Sequence, residues 1–135
     1  MSVGNPVKHL KAAQEVLLGT TSPSGTRHDT KLWVVVVDGE PYIRSMNGPG
    51  ARWYRELTTA GSGELVALDD GWRLPISVER VGDPDVVHDV SKAFKKKYGW
   101  THPQYIKRFL DEESLEATLR LDVGTPVAGD GRPSG

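Results

Sequence analysis

A hairpin followed by a helix is encoded in KLWVVVVDGEPYIRSMNGPGARWYREL, residues 31–57, and this stretch decides the fold. Residues 31–37 predict a strand, and the four consecutive valines in it place apolar groups on both faces, so both faces are expected to be covered. Asp38-Gly39 predicts the hairpin turn, and residues 41–46 predict the partner strand. Residues 51–57 predict a helix, so the chain turns sharply from a sheet into a helix.

Apolar patterns outside this stretch predict four more strands and three more helices. Six strands with few helices indicate a mainly β protein with some α: a six-stranded antiparallel barrel with flanking helices packed over one end. The further strands are expected at 15–21, 64–69, 72–81 and 115–123, and the further helices at 7–14, 85–98 and 103–110.

The connections follow from turn-forming residues. Residues 20–29 predict a mobile loop, and Asp69-Asp70-Gly71 predicts the turn of a second hairpin. Asp83 or Asp85 is the expected cap of the 85–98 helix. One domain is expected over residues 1–123, and residues 124–135, rich in glycine and proline, predict a disordered tail.

The composition is that of an ordinary globular protein. With 135 residues, 26% of them charged, and a net charge of −1, the chain can bury one core but lacks the positive excess of proteins that bind nucleic acid through bulk charge. It contains no cysteine, which excludes disulfides and thiolate chemistry. It shows no signal peptide, and no apolar run approaches the roughly 20 residues of a membrane span. We therefore expect a cytoplasmic protein that binds neither nucleic acid nor membrane.

The strand-to-helix corner has the features of an anion site. Gly48 and Gly50 let the backbone approach a ligand, and the first amides of the helix point outward, as phosphate requires. Arg44 and Arg52 would add charge-assisted hydrogen bonds. Arg52 opposes the helix dipole at a cost of about 0.3–1 kcal/mol, which a bound anion would reverse. The alternative is a plain turn, with Arg52 paired to Glu56 at i,i+4.

Other residues give weaker signals. The four histidines lack metal-ligand spacing, so no metal site is expected, and no serine lies in a G-x-S-x-G motif. His102 is a candidate acid or base, or else a solvated loop residue. Trp33 and Trp53 are equally consistent with framing a flat ring and with core packing. The lysines at 92 and 95–97 predict a solvated helix face rather than a phosphate or membrane patch.

Residues 30–57 resemble the core of the split-barrel flavin-binding superfamily. The likeness is greatest to a small uncharacterised family within it, domain of unknown function 2255, which is similar to the deazaflavin-dependent nitroreductase-like proteins. It rests on the tryptophan-containing strand, the Asp-Gly hairpin, Arg-Ser at the end of the second strand, the glycine loop and the Trp-Tyr helix. FKKKYG, 94–99, and EATLRLDV, 116–123, extend it. The resemblance implies a six-stranded split barrel that forms a homodimer, with a flavin or deazaflavin at the subunit interface.

The resemblance also implies which residues hold the cofactor. In that superfamily the phosphate is held by polar residues of adjacent strands and by the loop before the helix. Trp33 would lie beside the ring. The matching positions in this chain are Thr30, Lys31, Trp33, Arg44, Ser45, Asn47, Gly48, Gly50, Arg52 and Trp53.

The expected function is that of an oxidoreductase that uses FMN or a deazaflavin coenzyme on a small organic substrate, the cofactor supplying the chemistry. The alternative is a protein without a cofactor: an isomerase or cyclase of a biosynthetic pathway, or a small-ligand-binding protein that reuses the same pocket. The feature that distinguishes these two functions is whether Arg44 and Arg52 both face one cavity or are used in ion pairs. A lone barrel would expose outward valines of residues 32–37, so we expect the dimer to form through residues 31–46.

Overall fold

The computed structural model describes residues 6–68 and 71–125. That part of the chain contains seven strands, five α-helices and a short 3-10 turn at Gly48–Gly50. The predicted Asp69-Asp70 turn and residues 126–135 of the predicted tail lie outside it. The helices are α1 Pro6–Ala12, α2 Arg52–Ala60, α3 Pro84–Tyr98, α4 Pro103–Phe109 and α5 Glu112–Glu116, and the strands are β1 Val16–Thr21, β2 Arg27–Leu32, β3 Val35–Val37, β4 Glu40–Arg44, β5 Ser62–Val66, β6 Arg73–Arg80 and β7 Thr118–Val123.

All seven strands form one antiparallel sheet in the order β2-β1-β5-β6-β7-β4-β3. Its two edge strands, β2 and β3, are consecutive in the chain, and only Trp33 and Val34 separate them. The sheet therefore curls into a half-barrel whose two edges come together at these residues, with the helices packed against it.

The prediction of six strands is wrong by one, because the predicted strand 31–37 is divided. Leu32 pairs with Val16 of β1, whereas Val35 pairs with Tyr42 of β4, so the two halves belong to opposite edges of the sheet. A continuous run of apolar residues carries no sign of such a change of partner.

Side chains of α3 replace the strand partners that are missing at Val34. The Lys97 Nζ donates to the Val34 carbonyl at 2.7 Å, and the Tyr98 hydroxyl accepts from the Val34 N–H at 3.3 Å. The same hydroxyl donates to the Gln14 carbonyl at 2.8 Å. Because buried backbone groups must be hydrogen-bonded, these contacts are what permit the break between β2 and β3.

The valines of the divided strand lie on both faces, as predicted. Val34 and Val36 pack into the core inside the sheet, whereas Val35 and Val37 pack outside it against Phe94 of α3 and its neighbours. The chain's own helix thus covers the outward valines. The reason given for a dimer through residues 31–46 is therefore removed, and the dimer itself stays a prediction.

Two predicted boundaries are wrong. Residues 27–29 belong to β2 and not to a loop, because Thr21 pairs with Arg27 and the hairpin closes within residues 22–26. Residues 115 and 116 end α5 and not a strand. Of the predicted strand 115–123, only the part from Thr118 onward is a strand, and it begins where Thr118 pairs with Arg44 of β4.

Gly48 allows close packing of the corner between β4 and α2 against α5. Its φ is 74°, and a Cβ at this position would lie 2.9 Å from the Cβ of Glu113 in α5. Gly50 has no such constraint, since a Cβ there would meet nothing within 4 Å. The close approach predicted for Gly48 is therefore made to α5.

We expect Gly48→Ala to lower the free energy of unfolding by about 1–3 kcal/mol, because alanine is strained at positive φ and would push against Glu113. Gly50→Ala is the matched control and should change stability by no more than about 0.5 kcal/mol. Urea unfolding of both variants is the measurement. Equal losses would show that the corner tolerates a side chain at neither glycine and that Gly48 has no special role.

Candidate functional site

A cavity of about 570 Å³ opens at the corner, between β2, the end of β4, the start of α2 and α4. Gly48 and Gly50 are the two predicted cofactor-binding residues that do not line it. The other eight all do: Thr30, Lys31, Trp33, Arg44, Ser45, Asn47, Arg52 and Trp53.

Two hydroxyls in the cavity wall have no hydrogen-bond partner in the structure. They are Thr30 Oγ1 and Ser45 Oγ; both atoms are buried, and Ser45 as a residue is only 1% exposed. Buried polar atoms in folded proteins are almost always hydrogen-bonded, and an exception calls for an explanation. Because both residues line the cavity, the two hydroxyls are the candidate donors for a ligand with hydrogen-bonding oxygens.

The cations beside these hydroxyls are unpaired. Lys31 and Arg52 are exposed, and neither forms a hydrogen bond or ion pair within residues 6–68 and 71–125. The alternative pairing of Arg52 with Glu56 is not formed. The Glu56 carboxylate instead accepts from Thr20 Oγ1 at 2.7 Å and lies 3.2 Å from His28 Nδ1.

The start of α2 adds backbone donors to the same wall. Ala51 precedes the helix without a side-chain cap, and the first turn contains no acidic residue. The first amides of a helix have no intrahelical acceptor and carry a partial positive charge. Together with Arg52 and Lys31 they give this end of the cavity a positive potential.

Arg44 is also positive, but it is buried and four of its five N–H donors are in use. Its Nε donates to Thr118 Oγ1 at 2.8 Å, its Nη1 to Ser91 Oγ and the Phe109 carbonyl, and its Nη2 to the Val87 carbonyl at 3.0 Å. One Nη2 N–H is left for a ligand, so direct contact of Arg44 with a phosphate stays a prediction. Arg44 lines the cavity and links β4 to β7, α3 and α4.

No carboxylate in the described part of the chain forms an ion pair with Arg44. Burial lowers the pKa of Arg44 to about 10, so the guanidinium stays charged at neutral pH. A buried, uncompensated positive charge next to Ser45 attracts an anion without touching it, because the field is poorly screened in a protein interior.

The other end of the cavity is aromatic. Trp33 lies parallel to Tyr98, with ring centroids 4.1 Å apart, and parallel to Phe109 at 5.0 Å. His102 and Tyr105 of the α4 region approach the same indole at 5.1 and 6.4 Å. Trp33 thus belongs to a packed aromatic cluster and also lines the cavity, so packing is confirmed and its contact with a cofactor ring stays a prediction.

Sequence reasoning missed the part of the wall that α4 contributes. Tyr105 and Phe109 line the cavity, as do His102, Met46 and Glu15. Of these residues, the sequence predicts a role only for His102, as a candidate acid or base. No local pattern distinguishes these positions, because α4 reaches the site through contacts with residues more than 60 positions away, such as Arg44 with Phe109.

Comparison with known proteins agrees with this architecture. The family model described as an uncharacterized protein conserved in bacteria (DUF2255) matches residues 6–121. This chain belongs to the DUF2255 family. A search of curated proteins gave no match.

Several solved structures share the fold of this DUF2255 member. A conserved hypothetical protein, Rv2991 from Mycobacterium tuberculosis, has a TM-score of 0.65 at 15% identity, over 100% of this chain and 91% of the other. An FMN-binding protein from Syntrophomonas wolfei has a TM-score of 0.61 at 11% identity, over 90% and 79%. A heme-binding protein from Mycobacterium smegmatis has a TM-score of 0.64 at 16% identity, over 98% and 56%. At these identities the likeness establishes the split-barrel fold alone.

Two kinds of feature are absent from the described residues. None of the helices there has the length and apolar character needed to cross a membrane. No three histidine, aspartate or glutamate side chains in the same ranges come together as a group that could hold a metal ion.

We expect Arg44→Met to lower the free energy of unfolding by about 2–4 kcal/mol in the absence of any ligand. The substitution removes all four hydrogen bonds that Arg44 donates, and the loss of hydrogen bonds to buried groups is costly. Arg52→Met, which removes an exposed cation, should change stability by no more than about 0.5 kcal/mol. Urea unfolding at neutral pH measures both, and similar values for the two variants would contradict the structural role of Arg44.

Proposed function

We propose that the protein binds a phosphate-bearing flavin, FMN or a deazaflavin coenzyme, in this cavity and acts as an oxidoreductase on a small organic substrate. The observation that carries the proposal is the pair of buried, unpartnered hydroxyls of Thr30 and Ser45, set beside the unpaired cations Lys31 and Arg52. Hydroxyl donors, cations and a helix start are the groups that proteins use to hold phosphate.

The cavity fits such a ligand because its two ends differ. The Thr30, Ser45, Lys31 and Arg52 end would hold the phosphate, with the Asn47 side chain, whose Oδ1 accepts from Arg108, at the rim. The other end, with Trp33, Tyr105 and Phe109 in its wall, offers apolar side chains to a ring. A bound flavin would supply hydride chemistry, while the chain orients it and excludes water.

His102 lies at the aromatic end and is suited to exchange a proton with a substrate. Its Nδ1 is 2.8 Å from Thr101 Oγ1, which fixes the ring and leaves Nε2 as the exchanging nitrogen. The imidazole also lines the cavity next to Trp33. No local pattern predicts that His102 lies in the cavity wall, and only the fold brings it there.

Two alternatives are separated from this proposal by the same experiment. The heme-binding neighbour suggests haem as a ligand of this fold, and a cofactor-free enzyme or ligand-binding protein would need no chromophore. Titration of the purified protein with FMN and with haemin, followed by absorbance and flavin fluorescence, distinguishes them. Saturable FMN binding at micromolar concentration is the expected result, and binding of haemin alone would overturn the proposal.

The proposal includes a homodimer, with the cavity at the subunit interface. Its support is the position of the cavity at the surface, where a second chain would be needed to enclose a bound ring. Sedimentation equilibrium with and without FMN measures the assembly. A monomer at micromolar concentration in both conditions would remove the dimer from the proposal and leave the cavity unchanged.

Ser45→Ala should weaken FMN binding by about ten- to a hundredfold, since a hydrogen bond to a charged group contributes about 1.5–3 kcal/mol. The free protein should not lose stability, because the substitution removes a buried hydroxyl that has no partner there. Fluorescence titration and thermal melts of the free protein give the two readings.

Ser114→Ala is the matched control for Ser45→Ala. The Ser114 hydroxyl is equally buried, but it lies outside the cavity and bonds to the Met46 and Arg108 carbonyls. Its loss should lower stability and leave FMN affinity within about twofold. If Ser45→Ala destabilised the free protein as Ser114→Ala does, the Ser45 hydroxyl would be structural.

Arg52→Ala should also weaken FMN binding by about ten- to a hundredfold, whereas the stability of the free protein should be unchanged or higher by a few tenths of a kcal/mol. Arg52→Lys should restore only part of the affinity, because an ammonium lacks the planar fork of the guanidinium. FMN titrations of the three proteins measure this. Full affinity in Arg52→Ala would exclude Arg52 from the phosphate site.

A further inference from the structure

A second cavity, of about 660 Å³, lies on the outer face of α2, against the turn that follows β1. The helix residues that line it are spaced i, i+3, i+4 and i+7, so they form one continuous face: Arg52, Arg55, Glu56 and Thr59. Thr21 and Pro23 provide the opposite wall. The flavin proposal makes no use of this cavity beyond Arg52, which lines both.

The two arginines of this face are unpaired. Arg55 is exposed, as Arg52 is, and neither guanidinium has a hydrogen bond or ion pair to any residue that the structure describes. Arg27 on the neighbouring strand shows the contrast, because it is bound at 3.0 Å by both Asp29 and Glu64. Two unpaired guanidiniums on adjacent turns of a helix are suited to one anionic group.

The third charged group of the cavity is a carboxylate that is held in place. The Glu56 side chain is 8% exposed, and its carboxylate accepts from Thr20 Oγ1 at 2.7 Å and from His28 Nδ1 at 3.2 Å. The hydrogen bond from Thr20, with that from His28, holds the pKa of Glu56 below its usual value, so the group is ionised at neutral pH.

Glu56 has an acceptor position left. Thr20 donates to Oε1, and the His28 N–H is shared between Oε1 and Oε2. A carboxylate has about four acceptor positions. Glu56 lines the cavity, so its remaining acceptor position can serve an ammonium group bound there. The cavity thus presents donors for an anion and one acceptor for a cation, side by side on a single helix face.

We propose that this second cavity binds a small zwitterion of the amino-acid class. Arg52 and Arg55 hold its carboxylate, and Glu56 accepts from its ammonium group. The wall formed by Thr21, Pro23 and Ala60 contacts its side chain. A simple carboxylate would meet the charge of Glu56 without compensating it, and a simple amine would meet two guanidiniums, so the zwitterion is the favoured ligand.

Three probes of matched chain length test this class: norvaline, pentanoate, which lacks the ammonium group, and butylamine, which lacks the carboxylate. Chemical-shift titration of the full chain at neutral pH gives their affinities without any flavin. Norvaline should bind at least tenfold more tightly than either of the other two. Pentanoate binding as tightly as norvaline, or no binding of norvaline at all, would overturn the proposal.

Arg55 distinguishes this site from the flavin site, because it lines the second cavity and not the first. Arg55→Gln should weaken norvaline and pentanoate by about ten- to a hundredfold and leave FMN affinity within about twofold. Lys92→Gln, which removes an exposed charge from α3, is the control for net charge and should change neither. If Arg55→Gln and Lys92→Gln weakened norvaline binding equally, the effect would come from net charge alone, and the proposed site would be wrong.

Glu56→Gln tests the ammonium contact. It should weaken norvaline at least tenfold and leave pentanoate unchanged or bound more tightly, since the repulsion is removed. If this buried variant does not fold, the comparison of the wild type with Arg55→Gln still tests the ammonium contact. Arg55→Gln should weaken norvaline and pentanoate by the same factor, so the preference for norvaline over pentanoate should be equal in the two proteins. Absence of FMN binding in the wild type would refute the flavin proposal and leave all these measurements valid.

Discussion

The buried guanidinium of Arg44 is the interaction on which the rest of the structure depends. It stands at the end of β4 and joins that strand to β7 through Thr118, to α3 through Ser91 and Val87, and to α4 through Phe109. Its plane also lies over the Phe94 ring at 5.5 Å. One side chain therefore joins β4 to three other elements, and one of these, α4, lines the first cavity.

The position of Arg44 also explains why a buried cation is tolerated without a carboxylate. Four of its five N–H groups have neutral acceptors, which replace the water that the guanidinium loses on burial. The charge itself remains, next to Ser45 in the sequence and in the cavity wall. Structural support and attraction of an anion are thus two effects of the same residue, whereas Arg52 and Lys31 are free to contact a ligand directly.

Helix α2 separates two cavities and gives a different surface to each. Its start, with Ala51 and Trp53, faces the first cavity, and its outer face, with Arg55 and Glu56, faces the second. Glu56 anchors the helix to β1 and β2 through Thr20 and His28, and neither arginine forms an ion pair with a described residue. The unpaired cations of this helix follow from that anchoring, because the i,i+4 carboxylate that would pair with Arg52 is used elsewhere.

Several features were determined by the sequence itself because their causes are local. Turn residues, apolar alternation and the Asp83 cap, which accepts from the Asp85 N–H at 2.9 Å, placed most helices and strands close to their observed bounds. The corner after β4 was recognised from its glycines and arginines, and eight of the ten residues assigned to it line one cavity. The division of residues 31–37 between two sheet edges was not predictable, since it depends on which strands pair with each half.

Only the tertiary structure decided what each charged or aromatic residue does. Arg44 and Arg52 look alike in the sequence, yet one is 2% exposed and internally bonded while the other is exposed and unpaired. His102 and Tyr105 join the cavity because α4 folds back over the end of the sheet. Burial and pairing arise from contacts between residues far apart in the chain, and a local pattern of residue types contains no information on which of those contacts form.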